Sequence, residues 1–237
     1  MQVYIAQTDF LKDERAFAYY YSLVHPIRAA KVDRMRNPKD KELSLLAGLL
    51  LREGILRNGI DYANLRIAYG TYGKPEMENA GGNIHFNLSH SGSLAMAVLD
   101  KKAVGCDVEM VSKSEEELMR IAARFFHPQE HKVLCDVPDH STRKEWFYRI
   151  WTMKESVLKA CGLGMKLDMR SFCVVEDDGR MKETMTDPRA ERKYYLKEFF
   201  PREAFLSGGQ AYRLSCCGLG SDRAGEPQML TPESFSR

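Results

Sequence analysis

The chain has 237 residues, of which 44% are hydrophobic and 29% charged, and its formal net charge is +2. That is enough apolar material for a real core in one large domain or two smaller ones, without the strongly basic balance of a general nucleic-acid binder. No window approaches the roughly 18 apolar residues of a membrane span.

The opening "MQVYIAQTDF" lacks the basic stretch and long apolar run of a signal peptide, and "VYIAQT" alternates as a first strand does. A basic helical stretch, "HPIRAAKVDRMRNP", ends near Pro38. "DKELSLLAGLLLREGILRNG" follows as an amphipathic helix, with Leu43, Leu46, Ala47 and Leu50 at helical spacing and Gly59 as its stop. "IHFNLSHSGSLAMAVLD" predicts a β-hairpin with Ile84, Phe86 and Leu88 on one face and Ser91-Gly92 at the turn. "AVGCDVEMV" reads as another strand, residues 114–135 as a long helical stretch, and 143–161 as the strongest helix. "SFCVVEDD", "KYYLKEFF" and "QAYRLSCCG" read as further strands, and the segment from about Ser221 as a polar tail, loose at its end.

Strands, helices and strands thus occur twice. The expected architecture is α/β (α+β) with two lobes, residues 1–101 and 102–220, followed by the tail 221–237. A cleft between lobes is a favoured ligand site. The six cysteines are scattered without a CxxC pair, which points to free thiols in a reducing cytoplasm. Neither GxxxxGK[ST] nor a GxGxxG after a strand is present, so a P-loop or Rossmann nucleotide site has no support.

Side chains alternate across a strand, so Asp107 and Glu109 share the face of "VGCDVEMV" that Gly105 also occupies. At about 3.3 Å rise per residue their Cα atoms lie roughly 6.5–7 Å apart. Two carboxylates so placed repel each other unless a cation or a proton compensates, and a hard divalent ion bound through oxygen does this. Spacing alone leaves two solvated acids on a polar face as the plainer alternative. In "EWFYRIWTMKESVLKACG", Trp146, Ile150, Met153, Val157 and Cys161 form an apolar stripe. Tyr148, Trp151, Glu155 and Lys159 share the opposite face, where Glu155 and Lys159 are either a surface ion pair or a metal ligand beside a phosphate-binding lysine. His127, His131 and Cys135 at i, i+4, i+8 offer a zinc alternative. Against it, Pro128 places His127 at a helix cap, and three ligands in a line do not close a tetrahedron.

The order "GKP", "FNLSHSG", "GCDVE", "WTMKESVLKACGLG" resembles the surfactin-type 4'-phosphopantetheinyl transferase family, over about residues 1–217. That family has a glycine-x-aspartate-x-glutamate strand followed by a tryptophan-x-x-lysine-glutamate-x-x-x-lysine helix. Here these are Gly105, Asp107 and Glu109, then Trp151, Lys154, Glu155 and Lys159. One departure is Cys106, where an aliphatic residue is usual.

The resemblance implies two similar lobes related by a pseudo-two-fold axis, and transfer of the phosphopantetheine arm of coenzyme A to a serine of an acyl or peptidyl carrier protein. It implies Mg²⁺ held by Asp107, Glu109 and Glu155, with Lys159 on a phosphate; Glu155 is the candidate base, directly or through a metal-bound water. Ser89 and His90 would hold the nucleotide's phosphates. Gly73, Lys74 and Pro75 would lie beside the adenine, Arg28 and Lys31 would meet the 3'-phosphate, and Ser44 would supply a hydroxyl there. The carrier is expected to be acidic, with Arg120, Arg124, Lys132, Arg143 and Lys144 available to steer it. The two-lobed length implies a monomer, with no nucleic-acid or membrane partner. A catalytically degenerate module that only binds coenzyme A or a carrier is the alternative; the presence of all three acids and the lysine argues against it.

Overall fold

The computed structural model describes residues 1–78, 84–187, 191–201, 209–220 and 224–236. Strand β1 (Gln2–Gln7) leads into helices α1 (Glu14–Tyr21), α2 (Pro26–Asp33) and α3 (Pro38–Arg57). Two short strands, β2 (Ile67–Tyr69) and β3 (Pro75–Met77), pair around the Gly70–Lys74 loop, and β4 (His85–Ser91) and β5 (Leu94–Asp100) form the expected hairpin. The second half begins with β6 (Val104–Met110), then α4 (Glu115–Phe125), α5 (Pro128–Asp136) and α6 (His140–Cys161). It ends with β7 (Thr184–Thr186), β8 (Lys193–Phe199), β9 (Tyr212–Gly218) and β10 (Gln228–Met229).

Local chemistry sets the helix limits. The side chains of Asp13, Asn37, Ser114 and Asp139 cap helix N-termini by accepting backbone N–H groups, and Pro26, Pro38 and Pro128 open helices where a missing N–H is harmless. The helical stretch over 114–135 is two helices, divided where Pro128 places His127 at a cap. His127 caps a new helix at Pro128, and Glu130 reaches back to the His127 N–H at 2.8 Å, a reciprocal cap that ends one helix and starts the next.

Both halves repeat one topology: a strand, helices ending in a long one, then two antiparallel strands, the last lying beside the first. The first sheet has the order β10-β1-β5-β4 and the second β6-β9-β8-β7. Leucines of α3 cover one face of the first sheet through Tyr4, Ala6, Ala97 and Leu99. Its other face, with Val3, Ile5, Met96 and Val98, packs on Val104, Cys106, Val108 and Leu214 of the second sheet. Ile150, Met153 and Val157 of α6 close the far side against Tyr194, Leu196 and Cys217. The layers are therefore helix, sheet, sheet, helix. Cys106 lies in the inter-sheet core, where its departure from an aliphatic residue is a matter of packing.

Two sequence expectations differ from the structure. "SFCVVEDD" is not a strand: residues 169–171 form a 3-10 turn, and Val175 makes only a single bridge to Met181. Nor is the described part of the tail loose. β10 pairs in parallel with β1, and Phe235 is fully buried, its ring 6.0 Å from that of Phe10 and 6.3 Å from that of Tyr20. A few apolar residues (Met229, Leu230 and Phe235) in a polar segment are enough to dock it; residues 221–223 lie outside the described residues.

Candidate active site

The site starts from a residue without a side chain. A Cβ on Gly105 would lie 2.0 Å from the Ser156 carbonyl oxygen and 2.3 Å from the Ala160 nitrogen, so α6 rests directly on β6 at this point. This approach carries Lys159 over the next residue on the same strand face. Its Nζ donates to Asp107 Oδ1 at 2.7 Å and to Ser89 Oγ at 3.1 Å. Asp107 is only 4% exposed. Its Oδ1 also accepts from Ser89 Oγ at 2.8 Å, while the buried Oδ2 has no hydrogen-bond partner.

Glu109 and Glu155 flank this pair, half-buried. Burial, and then the charge of Asp107, pushes both carboxyls above the ordinary carboxylate range. Lys159 shifts upward: burial opposes its charge, but Asp107 and its other anionic neighbours outweigh that. The all-oxygen donor set, the unpartnered buried oxygen of Asp107 and the uncompensated acids fit a hard cation. Among the described residues, however, no three acidic, His or Cys side chains are gathered into a ready-made metal cage. The expected convergence of Asp107, Glu109 and Glu155 is therefore looser than a closed site. That suits Mg²⁺, which is usually bound by one or two carboxylates together with substrate phosphates.

The free edge of β6 meets β4 through side chains. Asn87 Oδ1 accepts from Cys106 N at 2.9 Å, Ser89 Oγ from Val108 N at 3.3 Å, and Ser91 Oγ from Met110 N at 3.1 Å. Ser91 also donates to Glu109 Oε2 at 2.8 Å. Asn87 and Ser91 were not singled out in the sequence; their signal was the alternation Asn-x-Ser-x-Ser, which puts three short polar side chains on one strand face. Tyr212 adds a further tie across the seam, its hydroxyl accepting from Ser93 N at 3.0 Å.

Cations gather on the amino-terminal side. Burial lowers the pKa of Arg28 and Lys31, and Arg28 and Arg34 lower Lys31 further. Partial desolvation, then Lys31, Lys159 and Arg28, holds His90 below the ordinary imidazole value although its ring keeps an exposed edge. This concentration of positive charge suits an anion. Arg28 lies against α3 where Gly48 leaves room; a Cβ there would come 2.6 Å from Arg28 Cγ. Arg28 and Lys31 line one cleft, Glu155 and Lys159 another of about 330 Å³, and Gly73 and Pro75 line both, so the two adjoin.

Two expected binding residues take supporting places. Ser44 is fully buried, and its hydroxyl faces Arg28 Nη1 at 3.5 Å. Lys74 directs its ammonium at the Val104 carbonyl (2.8 Å) and the Ala160 carbonyl (3.4 Å), tying the Gly70–Lys74 loop to the second half. Lys154, the motif lysine between Trp151 and Glu155, is fully buried. Its Nζ lies 2.7 Å from Glu130 Oε2 and 2.7 Å from the Phe172 carbonyl oxygen. The face expected to carry Tyr148 and Trp151 is also covered. Tyr148 is buried, and Trp151 packs against Phe147 at 5.9 Å between ring centroids and edge-on to Phe125 at 6.1 Å.

Comparison with known proteins gives the family. Residues 103–217 match the model of the 4'-phosphopantetheinyl transferase superfamily, and residues 12–101 match that of a 4'-phosphopantetheinyl transferase N-terminal domain. The 4'-phosphopantetheinyl transferase Sfp of Bacillus subtilis (strain 168) is 30% identical over 237 residues, covering 99% of this chain and 100% of that one. A second Bacillus subtilis 4'-phosphopantetheinyl transferase is 31% identical over 208 residues, 86% of each chain. The 4'-phosphopantetheinyl transferase gsp of Aneurinibacillus migulanus is 30% identical over 210 residues, 88% of this chain and 82% of that one. The chain belongs to the 4'-phosphopantetheinyl transferase superfamily.

In this transferase the residues read as steering cations divide. Arg143 is occupied inside the fold by the Val137 and Leu134 carbonyls and by Glu115, and Lys132 pairs with Asp136 on its own helix. Arg120 and Arg124 remain exposed on α4, and Lys144 is half-exposed on α6. The zinc alternative fails locally: the His127 ring caps α5 by accepting from Gln129 N at 3.3 Å, which leaves His131 and Cys135 as a pair.

Proposed function

We propose that this chain transfers the 4'-phosphopantetheine arm of coenzyme A to a serine of an apo acyl or peptidyl carrier protein, releasing adenosine 3',5'-bisphosphate. The observation that carries this reading is Asp107, buried between Lys159 and Ser89 with one oxygen left unpartnered beside Glu109 and Glu155. Lys159, which holds Asp107, lines with Glu155 a cleft that adjoins the one lined by Arg28 and Lys31.

Arg28, Lys31 and His90 bind the nucleotide's phosphates on the cationic side, and the Gly73–Pro75 segment lies beside the base. Lys159 faces the pyrophosphate, where a preorganised donor stabilises the charge that builds on its oxygens. The carrier's serine Oγ forms a bond to the β-phosphorus, and the bond from that phosphorus to the oxygen bridging it to the α-phosphate breaks. Glu155, which lines the cleft beside Lys159, takes the serine proton directly or through a water. Asp107, Glu109 and Glu155 would hold Mg²⁺, which supplies positive charge against the pyrophosphate and aligns it.

The transferase works as a monomer, since both repeats that frame the site come from one chain. Its partner is an acidic carrier rather than a nucleic acid, given a net charge of only +2. No helix is long and apolar enough to cross a membrane among the described residues, and all six cysteines are free thiols, which supports a cytoplasmic place. Mass spectrometry of apo carrier proteins incubated with coenzyme A, Mg²⁺ and this protein tests the reading. A phosphopantetheine-sized gain on a carrier serine is expected, abolished by Glu155→Gln. No gain on any fatty-acid, polyketide or peptide carrier would overturn it.

A further inference from the structure

The contact between β4 and β6 repeats with a period of two residues, and its rungs differ in chemistry. At the Gly105–Cys106 rung, which has no carboxylate, Asn87 presents an amide oxygen to the Cys106 N–H. At the two rungs that have carboxylates the β4 residue is a serine. Ser89 accepts from Val108 N and donates to Asp107; Ser91 accepts from Met110 N and donates to Glu109. A serine hydroxyl has one proton and two lone pairs. With a lone pair of Ser91 taken by Met110 N at 3.1 Å, its proton is aimed at Glu109 Oε2 at 2.8 Å. Asp107 has two ties of this kind, from Ser89 and Lys159. For Glu109, Ser91 is the side-chain hydrogen bond the structure shows among the described residues.

We propose that Ser91 is a positioning residue for the reaction, orienting the Glu109 carboxylate to share in holding a divalent cation; this rests on the metal-binding reading of Glu109 given above. The hydroxyl fixes one carboxylate oxygen from the opposite lobe and leaves the other available. It also makes the orientation of Glu109 depend on the seating of the hairpin that carries Ser89 and His90. The sequence pairing Asn-x-Ser-x-Ser with Gly-x-Asp-x-Glu is then one complementary template split between the two halves of the chain.

The test uses the full chain and Mn²⁺ as the probe, its binding followed by electron paramagnetic resonance with coenzyme A present, beside the Mg²⁺ dependence of turnover. Ser91→Ala is expected to weaken Mn²⁺ binding about tenfold or more, as loss of a partner behind a metal ligand does. The Mg²⁺ needed for half-maximal turnover should rise in parallel, while coenzyme A affinity in chelator stays unchanged. Ser91→Thr keeps the hydroxyl and is expected to restore both; Ser91→Cys, a weaker donor of similar size, should fall between. Glu109→Gln is the control. If it weakens Mn²⁺ binding and Ser91→Ala does not, the role of Ser91 is overturned. If Glu109→Gln binds Mn²⁺ normally, the metal reading of Glu109 fails and this inference with it. A Ser91→Ala protein that loses coenzyme A affinity in chelator as well would mark a general defect of the seam and also overturn the proposal.

Discussion

Lys159 and Asp107, 52 residues apart in the chain, meet at 2.7 Å, and the contact leaves the second carboxylate oxygen of Asp107 buried and unpartnered. The ammonium therefore has two tasks: it compensates a buried acid and it faces the cleft shared with Glu155. Replacing Lys159 by Ala should lower kcat about 100-fold or more, the scale of losing one preorganised donor to developing charge. Lys159→Arg should recover little, because a planar guanidinium does not replace a compact ammonium. Steady-state kinetics with a carrier protein would check this; a kcat within a few-fold of wild type would limit Lys159 to the fold.

Gly105 is fixed by the backbone of α6, which cannot move aside as the end of a side chain can. Gly105→Ala should destabilise the protein by about 1–3 kcal/mol, the range for overpacking, and should also lower turnover, since relief requires α6 to shift with Glu155 and Lys159. Thermal unfolding and kinetics on one preparation would show both losses. Unchanged Tm would mean that the strand and helix separate more easily than the 2.0 Å approach to Ser156 implies.

The buried pair Lys154–Glu130 is satisfied on several sides. Glu130 Oε1 also accepts from Val174 N at 2.8 Å, and Lys154 lies 4.2 Å from the centre of the Phe172 ring. Removing one partner, as in Glu130→Gln or Lys154→Met, leaves a buried charge without compensation and should destabilise by about 3–5 kcal/mol. The double replacement by Met should cost less than the sum of the single losses, but the backbone N–H groups of His127 and Val174 keep it below the parent. Denaturant unfolding of the three variants would decide; additive losses would contradict a tightly coupled pair.

His90 predicts a pH dependence of nucleotide binding. Partial desolvation and its cationic neighbours hold its pKa below the ordinary imidazole value. A bound phosphate reverses the local charge and raises that pKa. Between the free and bound values binding takes up a proton, so affinity should increase as pH falls through that window. Calorimetry of adenosine 3',5'-bisphosphate binding in buffers of different ionisation enthalpy should detect the uptake, and His90→Gln should abolish it. Equal uptake in that variant would assign the proton to another group.

The two-lobed outline and the chemical residues of β6 and α6 were legible because they follow simple periods. A strand alternates, so Asp107 and Glu109 had to share a face, and a helix repeats every turn, so Glu155 and Lys159 had to neighbour each other. The tail was misread because three apolar residues give no period, yet they suffice when β1 offers a free edge. Lys154 was opaque for a different reason: its burial depends on Glu130 of another helix, 24 residues away, and that packing is a tertiary fact. The roles of Asn87 and Ser91 needed the pairing of two sheets that no local pattern specifies.

The rungs from Asn87, Ser89 and Ser91 also bear on solubility. The edge of a sheet offers unpaired amides on which a strand of another molecule can add, a usual route to aggregation. In β6 the amides of residues 106, 108 and 110 are already taken by side chains of the same chain, so the strand that carries the acids cannot serve as a template for its neighbours in a crowded solution.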